Sequence, residues 1–278
     1  MSRIYFEDTI GKQENEIHDT VLEPPFRLIG KPIIKTLPVR LETRSLWDAA
    51  ERPQYLFGVL RAAAQAKREG KPSVSVIEFG VAEGYGLLAL QAHAAAVGKE
   101  PGINIEVYGF DSGLGLPEAC GDYRDHPDIW QPGDFQMNCD ELRQQLSKDT
   151  RLVLGSIEHT VLQEELTSPI GFIAFDLDFY SSTVHALRLF SRKDVSFLNR
   201  VGAYFDDIND SHNHRFAGEL LAIEEFNNTS ESFRIDRRRG IRQGRPFPEA
   251  GWLERMFIVH NLKAISATKL KRNPARMR

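Results

Sequence analysis

Short apolar runs along the chain stop abruptly at a carboxylate or a glycine, and stretches rich in helix formers separate them. The runs are Val74–Phe79, Ile105–Phe110, Arg151–Leu154, Gly171–Phe175 and Val201–Phe205. Near-continuous apolar runs of this length are what strands covered on both faces look like. Between them, helices are expected over Leu46–Glu69, with Pro53 starting a second, longer segment, and over Leu87–Val97, Asp140–Ser147 and Phe216–Phe226. Ser181 or Ser182 is placed to cap a further helix running to about Phe190. Two late runs, Phe233–Arg237 and Met256–Leu262, add strands at the end. Strands alternating with helices predict an α/β fold around a largely parallel sheet.

The first strand runs into a turn with Gly80, Gly84 and Gly86, and Glu78 sits two residues before the first glycine. Ligands of open α/β sheets collect beyond the carboxyl ends of the strands, so this turn is a candidate binding element. Its spacing is not the G-x-G-x-x-G of dinucleotide-binding turns, and a turn needing glycine only for positive φ or close packing is the plain alternative. The E-x-G-x-x-x-G form resembles the first motif of class I S-adenosylmethionine-dependent methyltransferases. That resemblance implies that Glu78, Gly80 and Gly84 approach the methionine half of the cofactor. Asp111 ends the second strand, where a carboxylate can accept from a ribose diol, and with Ser112 and Gly113 it can also form an Asx turn. Ser156 and Ile157, after the third strand, fall where adenine binds in folds of this kind.

The next two strands also end in acids: Asp176 and Asp178 after one, Asp206 and Asp207 after the other. If both strands run parallel to the first, these carboxylates converge on the face that holds the glycine turn. Converging carboxylates repel and call for a cation or shared protons; oxygen ligands alone suit a hard ion, Mg²⁺ first. In order, Glu78–Gly84, GFDSGLGLPE at Gly109–Glu118, DLDFYSST at Asp176–Thr183 and Asp206-Asp207 resemble the macrocin O-methyltransferase (TylF-like) family. The resemblance covers about Ser73 to Asp210. It implies a Rossmann-like seven-stranded methyltransferase sheet with helices on both faces, whose last strand is antiparallel. It further implies Asp178, Asp206 and Asp207 as metal ligands, and Glu78, Gly80, Asp111 and Asp176 as cofactor contacts. DLDFY stands where the family more usually has DGDLY, and nothing after Asp210 matches. The activity implied is methylation of a hydroxyl on a small molecule, a sugar or secondary metabolite, with Asp178 or His212 taking the proton. His214 shares the His212 loop, and His185 reads as a packing residue.

Composition bounds the rest. With 278 residues and 41% hydrophobic content the chain can bury one substantial core. A net charge of −4 gives no general attraction to nucleic acid. Cys120 and Cys139 lack ligand-like spacing and read as free thiols of a reducing compartment. No targeting signal or membrane-spanning run is recognised, so a soluble, cytoplasmic protein is expected. Residues 1–45, punctuated by prolines, read as an N-terminal helical arm or lid, or a contact between subunits of a homo-oligomer. Residues 46–265 read as the catalytic domain, and 266–278 as a solvated basic tail. The five arginines of Arg237–Arg245 read as a solvated hairpin or a basic rim for an anionic acceptor. A cofactor-binding protein without catalysis and a nicotinamide-dependent oxidoreductase are the competing functions.

Overall fold

A computed structural model describes residues 26–99 and 102–269. The first twenty-five residues of the expected arm, and the tail from residue 270, lie outside the described residues. Helices α1 (Phe26–Thr36) and α2 (Leu41–Leu46) lead into α3 (Pro53–Arg68), and the alternating unit follows. It consists of β1 (Ser73–Phe79), α4 (Tyr85–Gly98), β2 (Asn104–Asp111), α5 (Cys139–Gln145), β3 (Thr150–Leu154), α6 (Ile157–Gln163), β4 (Ile170–Phe175), α7 (Tyr180–Leu187) and β5 (Phe197–Phe205). The chain closes with α8 (Gly218–Thr229), β6 (Phe233–Arg237), β7 (Met256–Asn261) and α9 (Leu262–Ala267).

The seven strands form one sheet in the order β3-β2-β1-β4-β5-β7-β6. β1 to β5 run parallel to one another, and β7 runs antiparallel to both β5 and β6. The strand order reverses between β1 and β4, which opens the crevice where ligands of such sheets bind.

Side-chain alternation along β1 divides the core. Val74 and Val76 face α3 and α4 with Leu56, Val59, Leu87 and Leu90. Ile77 and Phe79 face the opposite layer with Val161, Tyr180, Leu187 and Ala222. Register aligns the strand ends: Phe79 lies opposite both Phe110 and Phe175, and Phe175 opposite Phe205. All four rings are buried, with Phe175 and Phe205 stacked at 4.5 Å. Burying each phenyl group contributes about 2 kcal/mol, so this row fixes the height at which every strand stops. The next residue of each strand is Gly80, Asp111, Asp176 or Asp206. Backbone hydrogen bonds Gly80 N to Phe110 O, Asp176 N to Phe79 O and Asp206 N to Phe175 O hold them level.

Two expected elements differ. The helix expected over Leu46–Glu69 is broken, because residues 47–52 leave the helical path and Asp48 (φ 51°) and Arg52 (φ 44°) take left-handed backbone. This kink turns Asp48 inward to Arg245, and Pro53 restarts the helix. Neither Ser181 nor Ser182 caps α7; Phe179 stands at that position without a side-chain bond. The carboxylate of buried Asp125 does the work from a distance, accepting from Ser181 N at 2.8 Å and Ser181 Oγ at 2.7 Å. It thereby satisfies an orphan N–H of the first helical turn. It also ties the irregular segment between β2 and α5 to the sheet edge. Both cysteines are free thiols. Among the described residues no helix is long and apolar enough to cross a membrane.

Candidate active site

A cavity of about 1290 Å³ opens over the carboxyl ends of the strands. That exceeds the ~300–1,000 Å³ of a usual single-ligand pocket and leaves room for a cofactor and a second molecule. The glycine turn lies at one end, with Asp111, Ser112, Ser156 and Ile157 also on the wall. Gly80 (φ 81°) and Gly84 (φ 91°) take backbone that disfavours a side chain. A Cβ on Gly86 would stand 1.9 Å from Glu78 Oε1, so the start of α4 lies directly against that carboxyl group. Asp111 fastens the turn: its Oδ2 accepts from Val81 N at 2.8 Å and Ala82 N at 3.0 Å, and its Oδ1 from Gly113 N at 2.7 Å. The Asx turn expected there is present, and the same carboxylate faces the cavity.

Glu78 is buried beneath the turn and accepts from Tyr55 Oη at 2.5 Å, while its Oε2 has no hydrogen-bond partner among the described residues. Burial pushes its pKa up to about 8, against the opposing pull of the Tyr55 hydrogen bond and Arg52. The unfolded chain loses this proton near 4.5 and the folded one near 8, so the folded state holds more protons between those values. Stability must fall as pH rises through that window. Glu78→Gln is therefore expected to flatten the dependence of the unfolding free energy on pH from 4.5 to 8 by a few kcal/mol. Urea titrations across the window measure it, and an unchanged slope would show that Glu78 ionises normally.

Oxygens of Asp176, Asp206 and Asp207 gather within 4.8 Å of one another on the cavity floor. The expected trio included Asp178, and here the geometry differs: Asp176 joins the other two. Asp178 has left-handed backbone (φ 57°), and its N–H donates to Asp207 Oδ2 at 2.9 Å. That turn places Asp178 on the cavity wall beside Asp207. Such backbone costs about 1–3 kcal/mol in a non-glycine residue, and strain of this kind concentrates at functional sites. Burial first, then Asp206 and Asp207, hold the Asp176 pKa well above the usual carboxylate range. Burial, then Asp178 and Asp206, do the same for Asp207.

Four residues that the sequence reading missed surround this floor. Arg52 approaches Asp176 Oδ2 at 3.9 Å, and Arg255 Nη1 donates to Asp206 Oδ1 at 2.6 Å. Glu219, fully buried at the start of α8, accepts from Asp207 N at 3.0 Å, and burial raises its pKa strongly. Tyr55 is the fourth. Arg255 carried one readable signal, since it precedes the reversed strand β7, whose beginning must lie at the carboxyl end of its antiparallel neighbour β5. Tyr55 and Glu219 lie in helices whose pattern says only which face is buried, and Arg52 stands at the left-handed position just before α3.

The outer wall is aromatic. Trp130 and Phe135 meet edge to face at 5.5 Å and line the cavity; Tyr123 is exposed away from it. His212 lines the cavity next to Trp130, and its ring lies 5.2 Å from that of buried His126. Burial, then His212 and His214, lower the His126 pKa. His214 does not line the cavity, and its Nδ1 accepts from Phe216 N at 3.3 Å.

The sheet order, the reversed seventh strand and the cavity over β1 and β4 define a seven-stranded α/β fold of the methyltransferase type. Two solved structures share it. The calicheamicin methyltransferase CalS11 superposes with a TM-score of 0.51 at 19% identity, covering 86% of this chain and 91% of that one. The O-methyltransferase NovP gives a TM-score of 0.50 at 17% identity, covering 78% of this chain and 90% of that one. No protein-family model matches the sequence, and no curated protein matches it significantly.

Proposed function

We propose that this protein is an S-adenosylmethionine-dependent O-methyltransferase that acts on a hydroxyl of a small molecule with the help of a divalent cation. The observation that carries this reading is the single cavity holding the glycine turn at one end and the carboxylate trio on its floor. The turn fits the cofactor, because Glu78, Gly80, Val81 and Ala82 line the cavity and Glu78 Oε2 is a buried acceptor without a partner among the described residues. Glu78, Gly80 and Asp111 would hold it, with Ser112, Ser156 and Ile157 toward the nucleoside end, while Gly84 shapes the turn where it packs on Leu142 and does not line the cavity. The trio fits a hard cation, since it offers oxygen donors alone and the Asp206 charge helps raise the pKa of both Asp176 and Asp207. Asp176, Asp206 and Asp207 would hold the ion, and a bound Mg²⁺ would supply the charge that lowers an acceptor hydroxyl's pKa.

The chain's own residues supply the remainder. Methyl transfer is an in-line displacement, so the acceptor oxygen must be held in one direction. Trp130 and Phe135 give an aromatic wall for its body. Asp178 and His212 both line the cavity, and either can receive the hydroxyl proton. Arg52 and Arg255 limit the repulsion among the floor carboxylates. The pieces quoted from Glu78 to Asp207 support placing the enzyme with the macrocin O-methyltransferases.

Calorimetric titration with S-adenosylmethionine, using NAD as control, tests the reading. Binding of the first and not the second is expected, and failure of S-adenosylmethionine to bind under any condition sinks it. In the same cell, Asp207→Asn and Asp176→Asn are each expected to weaken Mg²⁺ binding about tenfold or more. Asp178→Asn should weaken it less. An Asp178 effect larger than that of Asp176 would return the ligand role to Asp178.

A further inference from the structure

The arginine-rich segment Arg237–Arg245 resolves into residues with different fates. Arg239 pairs with Asp236 at 3.2 Å, Arg242 with Glu249 at 3.0 Å and with Glu254, and buried Arg245 with Asp48 at 2.7 Å. Arg237 donates to the Glu254 carbonyl at 3.3 Å. Arg238 is the exception. It is half-buried, with its guanidinium carbon 4.9 Å from the centre of the Phe57 ring, and it meets no carboxylate among the described residues.

The same ring also carries the guanidiniums of Arg61 in α3, at 5.2 Å, and of the paired Arg245, at 5.9 Å, and of these Arg61 has no carboxylate partner among the described residues. Arg68 lies two turns further along α3 and, among the described residues, its side chain bonds only the neutral Gln65 side chain. Phe57 is buried and packs at 5.7 Å against Trp252, so the shelf beneath the two guanidiniums is fixed. Burial, then repulsion from Arg61 and Arg68, lower the Arg238 pKa to about 10, which leaves it charged at neutral pH. Three like charges are thus brought together with no direct carboxylate partner among the described residues, in a chain whose net charge is −4. Guanidiniums flat on an aromatic face keep their edge N–H groups free, and that fork matches the oxygens of a phosphate. None of the three arginines lines the cavity over the sheet.

We infer that Arg61, Arg68 and Arg238 form a second binding site, separate from the cavity, for the phosphate or diphosphate group of a soluble small molecule. Arg238 and Arg61 grip the oxygens from the Phe57 shelf, and Arg68 adds charge at the rim. The site stands independently of the methyltransferase reading.

Inorganic pyrophosphate is the probe, titrated by calorimetry into the full-length protein at low salt. Saturable binding is expected, weakened about tenfold or more by Arg238→Gln and several-fold by Arg61→Gln. Arg238→Lys, which keeps the charge and loses the fork, should fall between wild type and Arg238→Gln. Arg239→Gln, at a paired and exposed position, should stay within about twofold of wild type. Saturating S-adenosylmethionine should leave the affinity unchanged. Absence of binding to the wild-type protein would overturn the inference. Equal loss in Arg238→Gln and Arg239→Gln would do so too, because it would reduce the effect to diffuse screening, and competition by S-adenosylmethionine would place the anion in the cavity instead. Circular dichroism of Arg238→Gln checks folding, and the exposed Arg61→Gln variant carries the test alone if Arg238→Gln is unfolded.

Discussion

Gly80→Ala is expected to destabilise the protein by about 3–4 kcal/mol, enough to lower the thermal midpoint of a chain this size by about 10 °C. The residue has φ 81°, and an ideal Cβ built there falls 1.6 Å from the Asp176 carbonyl oxygen. The obstacle is backbone of the neighbouring strand, so no side-chain rotation relieves it. Moving that carbonyl disturbs the Asp176 N to Phe79 O hydrogen bond at 2.9 Å and shifts the Asp176 carboxylate away from Asp206 and Asp207. The variant should therefore lose Mg²⁺ affinity together with stability. Gly70→Ala is the control: its φ is 68°, yet nothing lies within 4 Å of the added Cβ. That change should cost only the conformational penalty of about 1 kcal/mol. Differential scanning calorimetry of the two variants separates the terms. Equal shifts would mean that the contact between β1 and β4 yields easily.

The contrast between these glycines shows what was readable in the chain. β1 could be found because Val74–Phe79 is apolar except at Ser75 and Glu78, and the position of its end followed from Gly80. The acids after β4 and β5 were visible for the same reason, as polar residues placed where an apolar run must stop. That they share one cavity required only that both strands run parallel to β1, which they do. Which acids meet was not readable, because it depends on the positive φ of Asp178, and aspartate gives no sequence signal for that beyond its modest tolerance of such backbone. Contacts across long stretches of chain were equally hidden. Asp125 lies 56 residues from the Ser181 it bonds, and Tyr55 lies 23 from Glu78. Each is an ordinary residue in its own segment, and each matters only after the sheet has brought the two parts together. The arginines from 237 to 245 look alike in sequence, and only the positions of Asp48, Asp236, Glu249 and Glu254 distinguish paired from unpaired ones.

The pairing of Asp48 with Arg245 yields the second large effect. The side chains are 1% and 4% exposed, and Asp48 Oδ1 accepts from Arg245 Nη2 at 2.7 Å. Arg245 also donates to the Ser45 carbonyl and stacks at 4.8 Å on Trp252. It thus pins the junction of α2 and α3 to the loop between β6 and β7, nearly two hundred residues away in the chain. Burial raises the Asp48 pKa in spite of the arginine, so the pair adds less than its geometry suggests. Removing one partner is a different matter. Asp48→Ala leaves a buried guanidinium without its counter-charge, which costs about 3–5 kcal/mol. Replacing both, as Asp48→Ala with Arg245→Met, removes the stranded charge and is expected to recover part of that loss. Urea denaturation of the two single variants and the double variant closes the cycle. A single-variant cost below about 1 kcal/mol would mean that water reaches Arg245 once Asp48 is gone, and that the kink between α2 and α3 is held by Trp47 and Phe247 packing edge to face at 5.9 Å instead.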